Sequence, residues 1–225
     1  LTIVVCIAAI ALAVLSWYAS RNAPQDKKRY FAKRLGLLRL NEKAIPHYVK
    51  AVLILKEHGL DKHFSEESAA STEDSQFTPA VRAKVVNLVV QGARAQSLGI
   101  RLHAKDPFTL EIYDSDGKPF APKDFAILSR AIAHLAELDL RQSDAERARL
   151  LGAANLALGI QLSTYSVDFL DMYGIGCKFL GLQTLEKCAE TQNDDELTEA
   201  VREMRVELDR EFQRAKDAPP TPPYF

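Results

Sequence analysis

The chain has 225 residues with 29 Lys and Arg against 30 Asp and Glu, a net charge of −1 that provides no field for steering onto DNA or RNA, so no nucleic-acid partner is expected. A hydrophobic fraction of 47% beside 26% charged residues supports a buried core and excludes global disorder. The length admits one domain, or two small ones, and excludes a large multidomain enzyme.

Residues 1–18 (LTIVVCIAAIALAVLSWY) carry no charge and approach the roughly 20 residues that span a bilayer core. Trp17 and Tyr18 close the run, where amphipathic rings settle at headgroup level. The expectation is a single N-terminal transmembrane helix over residues 1–20, with the lipid bilayer as the partner of residues 1–18. A cleaved signal peptide is the competing reading, and Trp17, Tyr18 and Arg21 stand where its small-x-small cleavage pattern would fall. Arg21, Lys27, Lys28, Arg29, Lys33 and Arg34 argue for a cytoplasmic flank by the positive-inside rule. The chain opens on Leu1, so the opposite flank is missing from that comparison. Sidedness stays open, with a lean to the extracytoplasmic side because apolar runs at a chain start most often serve export.

Residues 21–216 read as one helical domain. Pro24 opens a helix with Tyr30, Phe31, Leu35 and Leu38 in register and a basic opposite face. Asn41 to His58 is the next, with Ile45, Tyr48, Val52 and Leu55 on one stripe, Gly59 as its stop, and Asn41 to Ala44 as a turn or kinked first turn ahead of Pro46. Residues 60–77 turn to Ser, Glu, Asp and Ala without apolar period, which predicts a mobile acidic surface loop. Thr78 and Pro79 cap and open a helix through Val81, Val85, Leu88 and Val89 that stops near Gly99.

Phe108 to Tyr113 alternates and is followed by Asp114-Ser115-Asp116-Gly117, so one small two-stranded β-hairpin is predicted over about 108–120. Asp124 is the expected cap of a helix carrying Leu128, Ala131, Ile132, Leu135 and Leu138. Ser143 with Glu146 reads as a capping box for another helix, reaching about Leu162. Ser166 starts a helix from Val167 to about Glu190, and Asn193 or Asp194 caps a last one with Leu197, Val201, Met204, Leu208 and Phe212 in one stripe. Its wet face predicts the pairs Glu199–Arg202, Glu207–Arg210 and Glu211–Arg214. Residues 217–225 form a Pro-rich tail, extended and polyproline-like, a candidate ligand for an aromatic groove.

Two stripes of small residues give the sharpest packing signal. Ala148, Gly152, Asn155 and Gly159 line one helix, and Gly174, Cys177, Gly181, Thr184 and Cys188 line the next, both with heptad-like spacing. Glycine costs a helix interior about 1 kcal/mol relative to alanine, so close backbone approach is the expected compensation. An antiparallel hairpin turning at Ser163 to Tyr165 follows. Its second helix also carries Phe169, Leu170, Met172, Ile175, Phe179, Leu180, Leu182 and Leu185, and is expected to be the central, buried one. The fold class is therefore mainly α: a helical bundle or helical-hairpin domain, one small β-hairpin and an N-terminal membrane helix.

Ala44, Tyr48 and Ala51 resemble the second-helix spacing of a tetratricopeptide repeat, and Leu35-Gly36 resembles its first-helix Leu-Gly. The partial likeness near residues 35–55 departs from that repeat in the short interval from Gly36 to Ala44 and in the absence of a second copy at its period. Asn41, Ala44, Pro46 and Tyr48 after an apolar start also resemble a loose set of uncharacterised bacterial membrane-anchored helical proteins. That likeness covers about the first quarter of the chain and implies no activity.

No phosphate-binding glycine loop, nucleophile elbow or paired C-x-x-C is present. Asp114-x-Asp116-Gly117 has the look of a calcium loop, but Ile112 and Lys123 stand at its ligand positions and it reads as a turn. The five histidines (His47, His58, His63, His103, His134) lack metal-ligand spacing, and Cys177 and Cys188 read as buried thiols. No catalytic residue, cofactor or metal is assigned. Asp168 and Asp171 are the only acids in a long apolar stretch. They read as dipole-favoured residues of a first turn and, with Tyr173, as a speculative pocket. The function expected is a membrane-anchored interaction or scaffold module with a protein partner. The alternative is a small-molecule or lipid-binding pocket, possibly enzymatic, near Asp168, Asp171 and Tyr173.

Overall fold

A computed structural model describes residues 40–65, 77–106, 109–113, 117, 119–165 and 168–217. The expected membrane segment, the helix expected from Pro24, most of the expected acidic loop, the expected turn at 114–116, residues 166–167 and the tail at 218–225 lie outside the described residues. Those described form seven α-helices and five short strands, a mainly helical fold.

Strand β1 (Leu40–Lys43) replaces the turn or helical start expected there. It pairs in parallel with β2 (Ala95–Ser97), and the ladder continues as Ala44 N and Ile45 N donate to Ser97 O (2.8 Å) and Leu98 O (2.9 Å). Helix α1 (Ile45–Glu57) follows, with Pro46 in its first turn, and buries Ile45, Tyr48, Ala51, Val52 and Leu55. It ends as the sequence predicts: Gly59 takes φ +69°, and Leu60 N reaches back to Leu55 O at 2.8 Å.

The acidic segment is structured at both ends. Helix α2 (Asp61–Ser65) occupies its start, and Leu60, Phe64 and Phe77 are buried, with the two phenylalanine rings packed against His134. Helix α3 (Pro79–Arg94) has the expected Thr78 cap, Val81 N donating to Thr78 Oγ1 at 3.4 Å. It stops five residues short of Gly99, because Ala95 turns extended to meet β1 while Gln161 Nε2 takes up the freed carbonyls of Gly92 (3.2 Å) and Ala95 (3.0 Å).

The predicted hairpin, β4 (Thr109–Tyr113) with β5 (Pro119–Phe120), gains a third strand, β3 (Arg101–Asp106), on the other edge of β4 to make an antiparallel sheet in the order β3-β4-β5. The alternation of β4 buries Ile112, which stands opposite buried Phe120. Phe120 in turn packs its ring 4.7 Å from that of Phe125.

Helix α4 (Pro122–Arg141) begins at Pro122 with Ala121 as its cap. Asp124 is not the cap but a buried residue of the first turn, held by Lys56 Nζ at 2.9 Å. Helix α5 (Ala145–Leu162) is capped by Asp144, whose Oδ1 accepts from Arg147 N at 3.1 Å. Ser143, the expected cap, is the αL residue between the helices, φ +62°. A 3₁₀ turn at Ser163–Tyr165 leads to α6 (Asp168–Gln192). Asp194 caps α7 (Asp195–Asp217) through Leu197 N (3.0 Å).

The α5–α6 hairpin is the most extensive contact, with α3 and α4 against α5, α4 and α7 against α6, and α1 on α3. Its glycines are in the predicted close approach: an added Cβ would meet Gly174 O at 2.5 Å from Gly159, and Leu156 N at 2.7 Å and Gly152 O at 2.8 Å from Gly181. Helix α6 is not buried all round, however. Met172 and Phe179 are exposed, since residues two positions from Gly174 and Gly181 point about 200° away from the seam. No helix among the described residues is long and apolar enough to cross a membrane.

Candidate functional site

Polar groups inside the bundle are spent on holding helices together. The Tyr48 hydroxyl on α1 donates to Gln161 Oε1 on α5 (3.0 Å), and the tyrosine ring fills the space that a side chain at Gly92 would take. Ser129 Oγ on α4 donates to Asn155 Oδ1 (2.7 Å), and Asn155 Nδ2 returns a bond to Ser129 O (3.0 Å). Burial pushes the Cys177 thiol up to about 12 and the Cys188 thiol up to about 11, so neither is a nucleophile at neutral pH. Tyr165 Oη accepts from the successive amides of Gly99 (3.1 Å) and Ile100 (3.3 Å), tying the turn after β2 to the hairpin of α5 and α6.

A charged cluster staples three helices. Asp139 on α4, 1% exposed in its side chain, accepts from Arg82 of α3 and lies 3.6 Å from Arg147 Nε of α5; Arg82 also donates to Gln142 Oε1 at 3.1 Å. Burial pushes the Asp139 carboxyl above its usual range against the opposing charges of Arg147 and Arg82. The cluster ties α3, α4 and α5 together, while Arg82 Nε and Asp139 Oδ2 are buried without a hydrogen bond.

Asp168 is the first residue of α6, and its side chain lies outside the described residues; Asp171 and Tyr173 are half-buried on the same helix. Two residues along a helix is a turn of about 200°, so Asp171 and Tyr173 leave α6 on different sides. Among the described residues no group of three His, Cys, Asp or Glu is placed to hold a metal ion.

What the helices do present outwards is a flank of the α6–α7 pair. Lys178 Nζ to Glu211 Oε1 (2.6 Å) and Arg205 NH2 to Glu186 Oε2 (2.9 Å) set these helices antiparallel. The Arg205 guanidinium lies 5.3 Å from the centre of the Phe179 ring. Met172 precedes Phe179 by seven residues and Phe212 follows Arg205 by seven, two helical turns each, so all four side chains stand on one flank. Met172 is 49% exposed, Phe179 47% and Phe212 41%. Between Met172 and Phe179 lies exposed Gly176, whose added Cβ would meet nothing within 4 Å.

Of the pairs predicted on α7, Glu199–Arg202 forms at 2.7 Å, whereas Glu211 is taken by Lys178 across the interface. Sequence reasoning missed the flank because it counted Met172 and Phe179 as core by hydrophobicity alone. Their seven-residue spacing, out of phase with the glycine seam, was the available signal. No protein-family model matches this chain, and neither a curated protein nor a solved structure does.

Proposed function

We propose that the protein is a membrane-anchored helical interaction module, held at the bilayer by residues 1–18, whose α6–α7 flank receives a protein partner. The observation that carries this reading is the exposure of Met172, Phe179 and Phe212 on one flank of the α6–α7 pair. An apolar patch with aromatic anchors and a rim of charge has the composition of a docking site. Arg205 and Glu186 supply that rim. The anchor rests on the uncharged run and its terminal Trp17 and Tyr18.

The test is a photoreactive amino acid placed at Phe179, or at Leu53 on α1, which is 51% exposed and serves as the control, in the intact chain in its native membrane. A discrete protein adduct from position 179 and none from position 53 is the expected result. Adducts identical at both positions, or lipid and small-molecule adducts alone, would overturn the reading. The anchor has its own check, since removal of residues 1–20 should move the protein from the alkali-resistant membrane fraction to the supernatant.

A further inference from the structure

We infer that the partner received by the α6–α7 flank is a second copy of this chain, docked about a two-fold axis that is perpendicular to α6 and passes midway between Gly176 and Phe179. The inference rests on the docking reading above and names the occupant. Met172, Gly176, Phe179 and Gln183 are spaced four, three and four apart and are all exposed, which makes them one heptad line on the open side of α6. That spacing reads the same in both directions. A second α6 laid antiparallel on the first therefore sets Phe179 of each copy opposite Gly176 of the other, and Met172 opposite Gln183. A large ring meets a position without a side chain, and since a Cβ at Gly176 would have nothing within 4 Å, no group of the chain stands in its way. A parallel pairing would set ring against ring and glycine against glycine, overfilling one contact and leaving the other empty.

Helix α7 supplies the charges. Lys178 against Glu211 and Glu186 against Arg205 fix the register of the helix pair, so Phe212 and Gln213 lie level with the same midpoint. Phe212 thus adds its exposed ring at the axis. Asp209 follows Arg205 by four residues and Lys216 follows Phe212 by four, so both stand beside the line of Arg205 and Phe212, and both are exposed. Asp209 lies as far before the level of the axis as Lys216 lies after it. Because the axis is perpendicular to the helices, α7 of each copy falls on the same side of the contact as α7 of the other, and Asp209 of each copy stands opposite Lys216 of the other. Among the described residues neither has an ion-pair partner in its own chain. One surface that offers itself both a ring against a bare position and opposite charges at matching levels is what an isologous contact requires.

The test uses the full chain with photoreactive benzoylphenylalanine at Gln183 and adducts mapped by mass spectrometry. Met172 lies eleven residues away on the same helix, about 16 Å at 1.5 Å per residue, but opposite Gln183 across the two-fold. The expected result is a link from position 183 to Met172 in a species of twice the chain's mass. Its yield should fall about fivefold or more in Gly176→Phe, which fills the place of the other copy's Phe179, and about threefold or more in Asp209→Lys. It should return in Asp209→Lys/Lys216→Asp, with circular dichroism confirming that all three variants are folded. Copies joined elsewhere, no joined copies, full yield in Gly176→Phe, or no recovery on charge exchange would each overturn the inference. The docking reading fails separately, when position 179 yields no protein adduct, whereas an adduct from position 179 to a different protein alone overturns only the second copy.

Discussion

Cys177 and Cys188 show how burial alone decides a side chain's chemistry. Both thiols are pushed up, to about 12 and about 11, chiefly by desolvation, so at pH 8 the thiolate that alkylating agents need is nearly absent. Native protein treated with iodoacetamide at pH 8 should leave both residues unmodified at the peptide level, whereas the unfolded chain is labelled at both; rapid native labelling of Cys177 would refute its burial. Since the folded values lie above the unfolded ones, the stability these thiols lend is whole below the ordinary thiol range and is lost as the pH rises from there through the folded values of about 11 and about 12. Asp139 obeys the same sign at the acid end: burial raises its carboxyl, so acidification protonates it in the folded state first and does not unfold the protein through this group. Breaking the buried pair by Arg82→Met should cost about 3 kcal/mol at pH 7 and recover partly on acidification. Replacing both partners, Arg82→Met with Asp139→Leu, should lie within about 1 kcal/mol of the parent in urea unfolding, and a double variant as weak as the single one would count against it.

At the level of the element, the glycines of α6 separate packing from propensity. Gly181→Ala places a Cβ 2.7 Å from the backbone of α5, which cannot move aside as a side chain can, and should cost about 1–3 kcal/mol. Gly176→Ala, on the same helix with open space around it, should instead gain up to about 1 kcal/mol from helix propensity. Thermal melts of the two variants moving in the same direction would mean that the hairpin contact is misplaced. This seam was legible because the sequence repeats small residues at heptad spacing on two successive helices. The helix caps were legible only to within a residue. Ser143 and Asp144 are both cap formers, and the choice fell to Asp144 because the tight link from α4 requires an αL residue just before it. Strand β1 was not legible at all, since Leu40–Lys43 has no alternation and becomes a strand only because Ala95–Ser97 lies beside it.

For the whole molecule, the packed hairpin is a support and the α6–α7 flank is the surface it presents. If the flank receives a partner, a Phe212→Ser chain should give a weaker partner adduct from position 179, by about threefold or more, with an unchanged melting temperature. An adduct of full strength in that variant would place Phe212 outside the docking site. The speculative trio of Asp168, Asp171 and Tyr173 shared a stretch of sequence, but helical rotation directs Asp171 and Tyr173 to different sides. The sequence by itself determined the helical class, most helix positions, the Thr78 cap, the buried thiols and the glycine seam, because each depends on residues within a few turns of one another. Tertiary structure alone decided the parallel pairing of β1 with β2, the third strand of the sheet, the burial of Asp124 and Asp139 against Lys56 and Arg82, and which side of α6 stays open. The β1–β2 pairing and the two buried carboxylates depend on partners more than fifty residues away in the chain. Hydrophobic periodicity says that a face wants to be covered, and only the arrangement of the other helices settles which faces are.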